Sequence, residues 1–309
     1  MSTLVTFLMP AFNAMPLLRE TIRSMQSQTL RDFAAIIVDD GSTDGTGDYL
    51  DSLGDSRFRI VHQENTGYVE ALNRGADLVQ TKYFARIDAD DLALPQRLEK
   101  QVAFLEQHHD VAIVASRIGY IFGQNRRFRM KIGPWQKSPS FAPPMVDRPF
   151  WNPSTDGETV THSSVTLRTD AFLSVEKYRD LAPAEDTDLW LRLHDAGYKL
   201  ACLDEILALY RVGAGSVSSQ AYSRQMQILR YARHSHALRC QKQPDISFQD
   251  YAAAHPLKPE EEASVLARLR LRNAMGELLS GRFVKGSFSL AKVIASDPTG
   301  FLNKLRSRC

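Results

Sequence analysis

Apolar and polar positions alternate in blocks along the first 120 residues, and the period of the pattern changes from block to block. Val5–Met9 is a short, wholly apolar run closed by Pro10, and Ala34–Val38 is a second. Both read as strands buried on two faces. Between them Leu18, Ile22 and Met25 recur at the spacing of one helical face. Asp44–Leu53 reads as a second helix, Arg59–Val61 as a third strand, and the stripe Leu72, Ala76 and Val79 as a third helix. Tyr83–Ile87 supplies a fourth strand, Leu98, Val102 and Leu105 a further helix, and Val111–Ala115 the strand after it. Strands that alternate with helices in this way predict an α/β fold, a mostly parallel sheet covered by helices on both faces.

In an open α/β sheet, ligands bind beyond the carboxyl ends of the strands. Polar residues stand at four consecutive ends: Asn13, then Asp39 and Asp40, then Asn65, then Asp88, Asp90 and Asp91. The last group packs three carboxylates into four positions. One reading is a solvated turn, where Asp favours tight backbone geometry. The other is a platform for a divalent cation. If the segment is extended, Asp88 and Asp90 share one side and Asp91 points away. Such a pair suits a hard cation, Mg2+ or Mn2+, that completes its shell with phosphate and water.

The stretch from Gly119 to Val160 breaks the pattern. It is rich in Pro, Arg and aromatic residues, including Trp135 and Trp151, and has no sustained period. Val165–Leu167 reads as a strand and Asp188–Ala196 as a helix with Leu189, Trp190 and Leu193 inward. From Ser223 the chain turns helical. Pro259 and the acids that follow it open a helix ended by Gly281, and a shorter one lies near Gly286–Ala295. The expected organisation is a domain over 1–218, with halves 1–116 and 117–218, and a helical extension over 219–309.

With 309 residues, 43% of them hydrophobic and 24% charged, the chain is long enough for a substantial core. A net charge of +2 argues against a nucleic-acid partner on bulk electrostatics. Nine Lys or Arg from Val265 onward, against Glu277 and Asp297, make the tail basic. With Phe283, Phe288, Leu290, Ile294 and Phe301 interspersed, that tail reads either as a face for anionic lipid at the cytoplasmic side of a membrane or as helices packed on the main domain. Cys202, Cys240 and Cys309 share no metal-like spacing, and a reducing, cytoplasmic setting is the expectation. No window approaches a membrane span.

The motifs "MPAFN", "IIVDDGSTDGT", "NTGYVEALNRGAD", "RIDADDLALPQRLEKQV", "AEDTDLWLRLHDAGYK" and "LYRVGAGSVS" stand in this order between about residue 3 and residue 218. Together they resemble the family-2 glycosyltransferases, nucleotide-sugar-dependent enzymes of GT-A fold. The resemblance implies that Asp39 and Asp40 line a nucleotide pocket bounded by Pro10 and Phe12, with Asn13, Asn65 and Gly67 on the same donor side. Asp40 would accept the imide N–H of a uracil, so UDP is the expected nucleotide. Asp90 would bind Mn2+ or Mg2+, with Asp88 assisting it or contacting the ribose, and Asp91 taking either role. Asp186 would be the general base of an inverting transfer, with Glu185 beside it on the acceptor side. Arg211 matches a position near the diphosphate, although a surface arginine reads the same. His162, Trp135 and Trp151 are acceptor-side candidates that also read as loop and packing residues. The implied acceptor is a glycan or lipid-linked glycan of bacterial surface polysaccharide synthesis.

Two other functions compete. A sugar-phosphate nucleotidylyltransferase would carry a Gly-rich, basic loop after the first strand, where this chain has Pro10-Ala11-Phe12-Asn13. A non-catalytic carbohydrate-binding module on the same fold would need no base, and Asp40, Asp90 and Asp186 are all present.

Overall fold

In the computed structural model, which describes residues 3–122, 150–153, 160–212 and 222–257, the alternation of strand and helix falls where the hydrophobic pattern places it. Strands β1 (Val5–Ala11), β2 (Ala34–Asp40), β3 (Phe58–Gln63) and β4 (Tyr83–Arg86) are joined by helices α1 (Leu18–Gln26), α2 (Thr46–Asp51) and α3 (Tyr68–Asp77). They pair in the order β3-β2-β1-β4, all parallel. Successive strand residues feed opposite faces. Leu8, Ile36 and Val38 meet Val69, Leu72 and Ala76 of α3 on one side. Their neighbours Phe7, Met9 and Ile37 meet Leu18, Ile22 and Met25 of α1 on the other, with Leu98, Val102 and Leu105 of α4 (Arg97–Gln107).

Pro10 does not close the first strand, which runs on to Ala11. The reason lies in the ladder. The Leu8 carbonyl accepts from Ile87 on the β4 side, so the N–H that Pro10 lacks would point the same way. β4 has already ended at Arg86, and its pairing with β1 stops at Leu8. A missing donor costs nothing there.

The second half mixes strand directions. β6 (Val111–Phe122) and β9 (Lys199–Val212) pair in parallel. β8 (Thr166–Arg168) lies antiparallel between β4 and β6 and joins the two parallel units into one sheet. β5 (Leu92–Ala93) and β7 (Phe150–Trp151) add two-residue antiparallel pairings to β9. A parallel neighbour needs a crossover of about a dozen residues or more, and these short antiparallel rungs need none. Behind the sheet, α5 (Thr169–Ser174) and α6 (Glu185–Asp195) bring Phe172, Leu189, Trp190 and Leu193 into the first core.

Helix α7 (Tyr222–Cys240) packs on α6, and α8 (Phe248–Ala254) packs on α7. Ile228, Tyr231 and Tyr251 close over Leu181 and Ala184 in a small separate core. The helices expected near 260–281 and 286–295, and the basic tail they carry, lie outside the described residues. Among the described residues no helix is long and apolar enough to cross a membrane.

Gly75 lets α3 sit close to the sheet. A Cβ there would meet Leu8 Cδ1 and stand 3.0 Å from Val38 Cγ2, both on fully buried side chains. Helix propensity alone favours Ala over Gly by roughly 1 kcal/mol, whereas overpacking costs about 1–3 kcal/mol. Gly75→Ala is therefore expected to lower Tm, and a thermal melt in which Tm rises would show that α3 has room to move.

Candidate active site

The four parallel strands deliver their carboxyl ends to one edge, and the loops there are tied to one another. Asn13 has φ 47°, and its Oδ1 accepts the Thr43 N–H at 2.8 Å while its own N–H donates to Ser42 Oγ at 2.9 Å. The Met15 N–H donates to Asp44 Oδ2, and the Ala14 N–H to Thr46 Oγ1, each at 2.9 Å. These bonds brace the β1–α1 loop against the β2–α2 loop. Phe12 is left 52% exposed on that braced loop, while Pro10 is buried at its base. An exposed ring on a braced loop suits stacking against a nucleobase.

Asp39 and Asp40 are both 4% exposed. Asp39 Oδ1 accepts the Ser42 N–H at 3.2 Å, and Oδ2 lies 3.0 Å from His62 Nδ1. His62 Nε2 in turn lies 3.0 Å from Asp51, and the bonds to Asp51 and Asp39 raise the imidazole pKa. Asp39 is thus committed to the β2–α2 turn. Asp40 Oδ1 accepts from Gln63 Nε2 at 2.6 Å, the Thr66 N–H at 2.9 Å and Thr66 Oγ1 at 3.4 Å. Among the described residues its Oδ2 accepts only the Gly67 N–H at 3.0 Å, which leaves a lone pair open on that oxygen there. Gly67, at φ 99°, turns its N–H onto Asp40 where a side chain would strain the backbone. Asn65 is exposed beside Gly41, whose missing Cβ would stand 2.8 Å from the Asn65 nitrogen.

The acidic segment is a turn, not an extended strand. The Asp91 N–H donates to the Asp88 carbonyl at 3.2 Å. The alternation expected from sequence therefore does not set the side-chain directions. Asp91 is the one of the three that turns inward. It is 1% exposed, and its Oδ1 accepts the Arg211 N–H at 2.7 Å. Asp88 and Asp90 are half-buried. Burial would raise Asp88, but Arg86 outweighs it, with Nη2 2.5 Å from Oδ1, and holds the carboxyl below its ordinary value. Asp90 is pushed up to about 6 by burial and by the Asp88 charge, with Arg211 opposing. Arg211 is not a surface residue. It is 5% exposed, with Nε donating to the Asp90 carbonyl at 2.8 Å and Nη2 to Glu20 Oε2 at 3.1 Å. It fastens the turn from behind, and a direct contact with a diphosphate would be an addition to these bonds.

The start of α6 lies within the electrostatic reach of Arg86. Glu185 is buried, with Oε1 3.5 Å from His162 Nδ1 and Oε2 without a hydrogen-bond partner among the described residues. Asp186 is half-buried, and its Oδ1 accepts the Thr187 N–H at 2.7 Å. Burial, then the Glu185 charge, pushes Asp186 up to about 6. His162 lies in a 3-10 turn, His162–Ser164, 8% exposed, with Nε2 2.7 Å from the Tyr178 hydroxyl and Nδ1 3.3 Å from that of Tyr68. Burial and the Arg86 charge pull it down to about 3, so the ring is neutral. The next residue, Ser163, accepts the Asp88 N–H through Oγ at 3.1 Å and so joins this turn to the acidic one.

The model of Glycosyl transferase family 2 matches residues 6–165, more than half of the chain. The chain belongs to this family. It is 31% identical over 215 residues to EpsE of Bacillus subtilis (strain 168), named as a glycosyltransferase, which covers 67% of this chain and 72% of that one. The amylovoran biosynthesis glycosyltransferase AmsE of Erwinia amylovora is 26% identical over 206 residues, 66% of this chain and 73% of that one. Among solved structures, S. aureus TarS 1-349 in complex with UDP-GlcNAc superimposes with a TM-score of 0.62 over 96% of this chain and 92% of that one. At 15% identity that likeness is one of fold, the GT-A type.

A family-2 enzyme holding Mn2+ or Mg2+ needs hard oxygen donors, and the acidic turn offers them. Asp90 presents a carboxylate whose raised pKa a dication would offset, and Asp88 keeps one oxygen beyond its Arg86 bond. Of the acceptor-side candidates, the structure brings His162 and Glu185 into the site. Trp151 sits in β7 opposite Leu200, and Trp135 lies outside the described residues. Sequence reasoning missed Arg86, Tyr68, Tyr178 and Ser163. For Arg86 a signal was present, because a charge inside the apolar run "YFARI" has to be paired when both faces are covered.

Burial also pushes Glu185 up, to about 7 against an ordinary 4.5. The folded state then holds this proton more tightly than the unfolded chain, so an ionised Glu185 lowers stability as pH rises from about 4.5 to about 7. Glu185→Gln is expected to raise Tm at about pH 8 and to change it little at about pH 4, each kcal/mol reading as roughly 2–4 °C. A Tm difference that does not grow with pH would show that Glu185 is ordinarily solvated.

Proposed function

We propose that this glycosyltransferase moves a sugar from a nucleotide-sugar, a UDP-sugar by preference, onto a hydroxyl of a glycan or lipid-linked glycan with inversion at the anomeric carbon. One observation carries the reading. The pair Asp88–Asp90 and the pair Glu185–Asp186 share one buried arginine, Arg86, whose field reaches all four carboxylates. The first pair offers oxygens to a cation that would hold the leaving diphosphate, and the second offers a base of raised pKa on a different element, the start of α6. A nucleotidylyltransferase fits less well, since no glycine lies between β1 and α1, and a binding module leaves Asp186 without a task.

On the donor side, Phe12 stacks on the base and Asp40 Oδ2 accepts the uracil imide N–H, while Gln63, Thr66 and Gly67 keep that carboxylate aimed. A bound Mn2+ or Mg2+ would supply positive charge to the departing diphosphate, with Asp90 and Asp88 as its protein ligands. On the acceptor side, Thr187 occupies Asp186 Oδ1 and leaves Oδ2 to take the proton of the attacking hydroxyl. As that proton moves to Asp186, the hydroxyl oxygen bonds to the anomeric carbon. The bond from that carbon to the diphosphate breaks on the opposite side, and UDP leaves with the electron pair. The UDP-GlcNAc held by S. aureus TarS and the amylovoran synthesis named for AmsE support this donor and acceptor class. An acceptor anchored in lipid would give the basic tail beyond residue 258 a role at the cytoplasmic membrane surface.

Asp90→Ala tests the donor side. It removes a repulsive carboxylate, so Tm should hold or rise while Mn2+-dependent UDP binding, read by calorimetry, is lost. Unchanged UDP affinity in the presence of Mn2+ would overturn the metal assignment.

Asp186→Asn tests the base. UDP affinity should survive while kcat falls by about 10² or more. In the wild type, kcat should decline below about pH 6 as Asp186 gains its proton, and this acid limb should be missing from the variant. Release of pyrophosphate instead of UDP would replace the whole reading with nucleotidylation.

A further inference from the structure

We propose that His236 and Cys240 of α7, with Asp195 at the end of α6, form a second metal site, one for a borderline transition ion such as Zn2+, that pins the helical extension to the catalytic domain. His236 and Cys240 are four residues apart and share a face of α7. That face meets the last residue of α6, and the ligand atoms of the three side chains all lie within 4.8 Å of one another. His236 Nδ1 is 2.6 Å from Asp195 Oδ1, and Cys240 Sγ is 3.8 Å from both His236 ring nitrogens.

These separations are close to what zinc asks for. Bond lengths of roughly 2.0 Å to N and O and 2.3 Å to S at tetrahedral angles put N···S near 3.5 Å and N···O near 3.3 Å. The Asp195–His236 contact would open by less than 1 Å. Because the sulfur is equidistant from the two ring nitrogens and so lies off either lone-pair axis, the imidazole would also turn to aim one nitrogen at the ion. Arg239 Nε donates to Asp195 Oδ2 at 2.6 Å, which holds that oxygen aside and leaves Oδ1 toward the site. Arg239 is itself held by Ser235 and Asp245. Salt-bridge formation between the helices accounts for Asp195, His236 and Arg239 but gives the thiol no part.

Asp195 and Cys240 also line a cavity of about 610 Å³, together with His194 and Arg239 among others. His194 Nδ1 is 3.9 Å from Asp195 Oδ1 and has no hydrogen-bond partner among the described residues, but it stands outside the three-residue cluster, so a water would take the fourth position. A thiolate, imidazole and carboxylate set favours Zn2+ or Co2+ over Mg2+ and Mn2+. It therefore differs in kind from the all-oxygen donors of the acidic turn. α6 also carries Asp186 at its other end, so the ion would fasten α7 to the helix that presents the base.

The test uses the full chain, reduced and stripped of metal, titrated with Co2+ and then Zn2+. One Co2+ per chain should give a thiolate-to-metal charge-transfer band and the strong visible bands of a tetrahedral site, and Zn2+ should displace it and raise Tm. In Cys240→Ser the charge-transfer band should vanish, and in both Cys240→Ser and His236→Ala Zn2+ affinity should fall by at least roughly tenfold. UDP release by Cys240→Ser should match the wild type. Asp90→Ala should keep the band, so failure of the donor-site reading leaves this one standing. Absence of a thiolate band in the wild type would overturn the proposal. So would its persistence in Cys240→Ser, which would assign it to Cys202 or Cys309.

Discussion

The candidate site is organised around one buried charge. Arg86 closes β4, is 1% exposed, and has two guanidinium N–H positions without a hydrogen-bond partner among the described residues. Isolated burial of such a charge would cost several kcal/mol. The surroundings offset it with the Asp88 ion pair, the face of Tyr68 at 5.3 Å and the fields of Tyr178 and Glu185. Because the arginine cannot give up its proton, the carboxylates around it divide the titration among themselves. Asp88 is held down, while Glu185 and Asp186, where desolvation wins, are pushed up.

That division bears on chemistry as much as on stability. A carboxylate held ionised suits a cation, and one with a raised pKa suits a proton in transit. One guanidinium acts on both groups because chain order separates them and the fold brings them together. Asp88 follows β4, and α6 begins within the electrostatic reach of Arg86 and Asp88. The 3-10 turn at His162–Ser164 sits between, with Ser163 bonded to the Asp88 N–H and His162 close to Glu185. A neutral His162 adds hydrogen bonds here without adding a second positive charge.

A buried polar frame supports the arrangement. Arg97 donates through Nη2 to the carbonyls of Arg86 at 2.6 Å and Val165 at 3.0 Å, and Gln101 Nε2 donates to the Ser164 carbonyl at 2.8 Å. Both come from α4, which therefore ties the end of β4 to the 3-10 turn. On the opposite flank, Arg211 of β9 fastens the acidic turn to α1 through Glu20. These bonds hold the site to one geometry, because each would be costly to break in a buried frame, although Arg97 Nη1 and Asp91 Oδ2 have no hydrogen-bond partner among the described residues.

Much of this was legible in the chain before any coordinates. The apolar runs at Val5–Met9, Ala34–Val38 and Tyr83–Ile87 determine where strands form, since a wholly apolar segment of that length has to be covered on both faces. The order of the motifs likewise places Asp40, Asp90 and Asp186 at strand and helix ends. Local pattern could not say which partners these acids meet. Pro10 continues its strand only because β4 ends beside it, and Asp91 faces inward only because the backbone of Arg211, 120 residues away, receives it. Nor could spacing along the chain bring Asp195 to His236 and Cys240, or Arg86 to Glu185. Hydrophobic period is a property of neighbours in sequence, so the sequence alone settles the elements and their exposed ends. Burial, ion pairing and the pKa values that follow from them are properties of neighbours in space, and only the packed sheet and helices decide those.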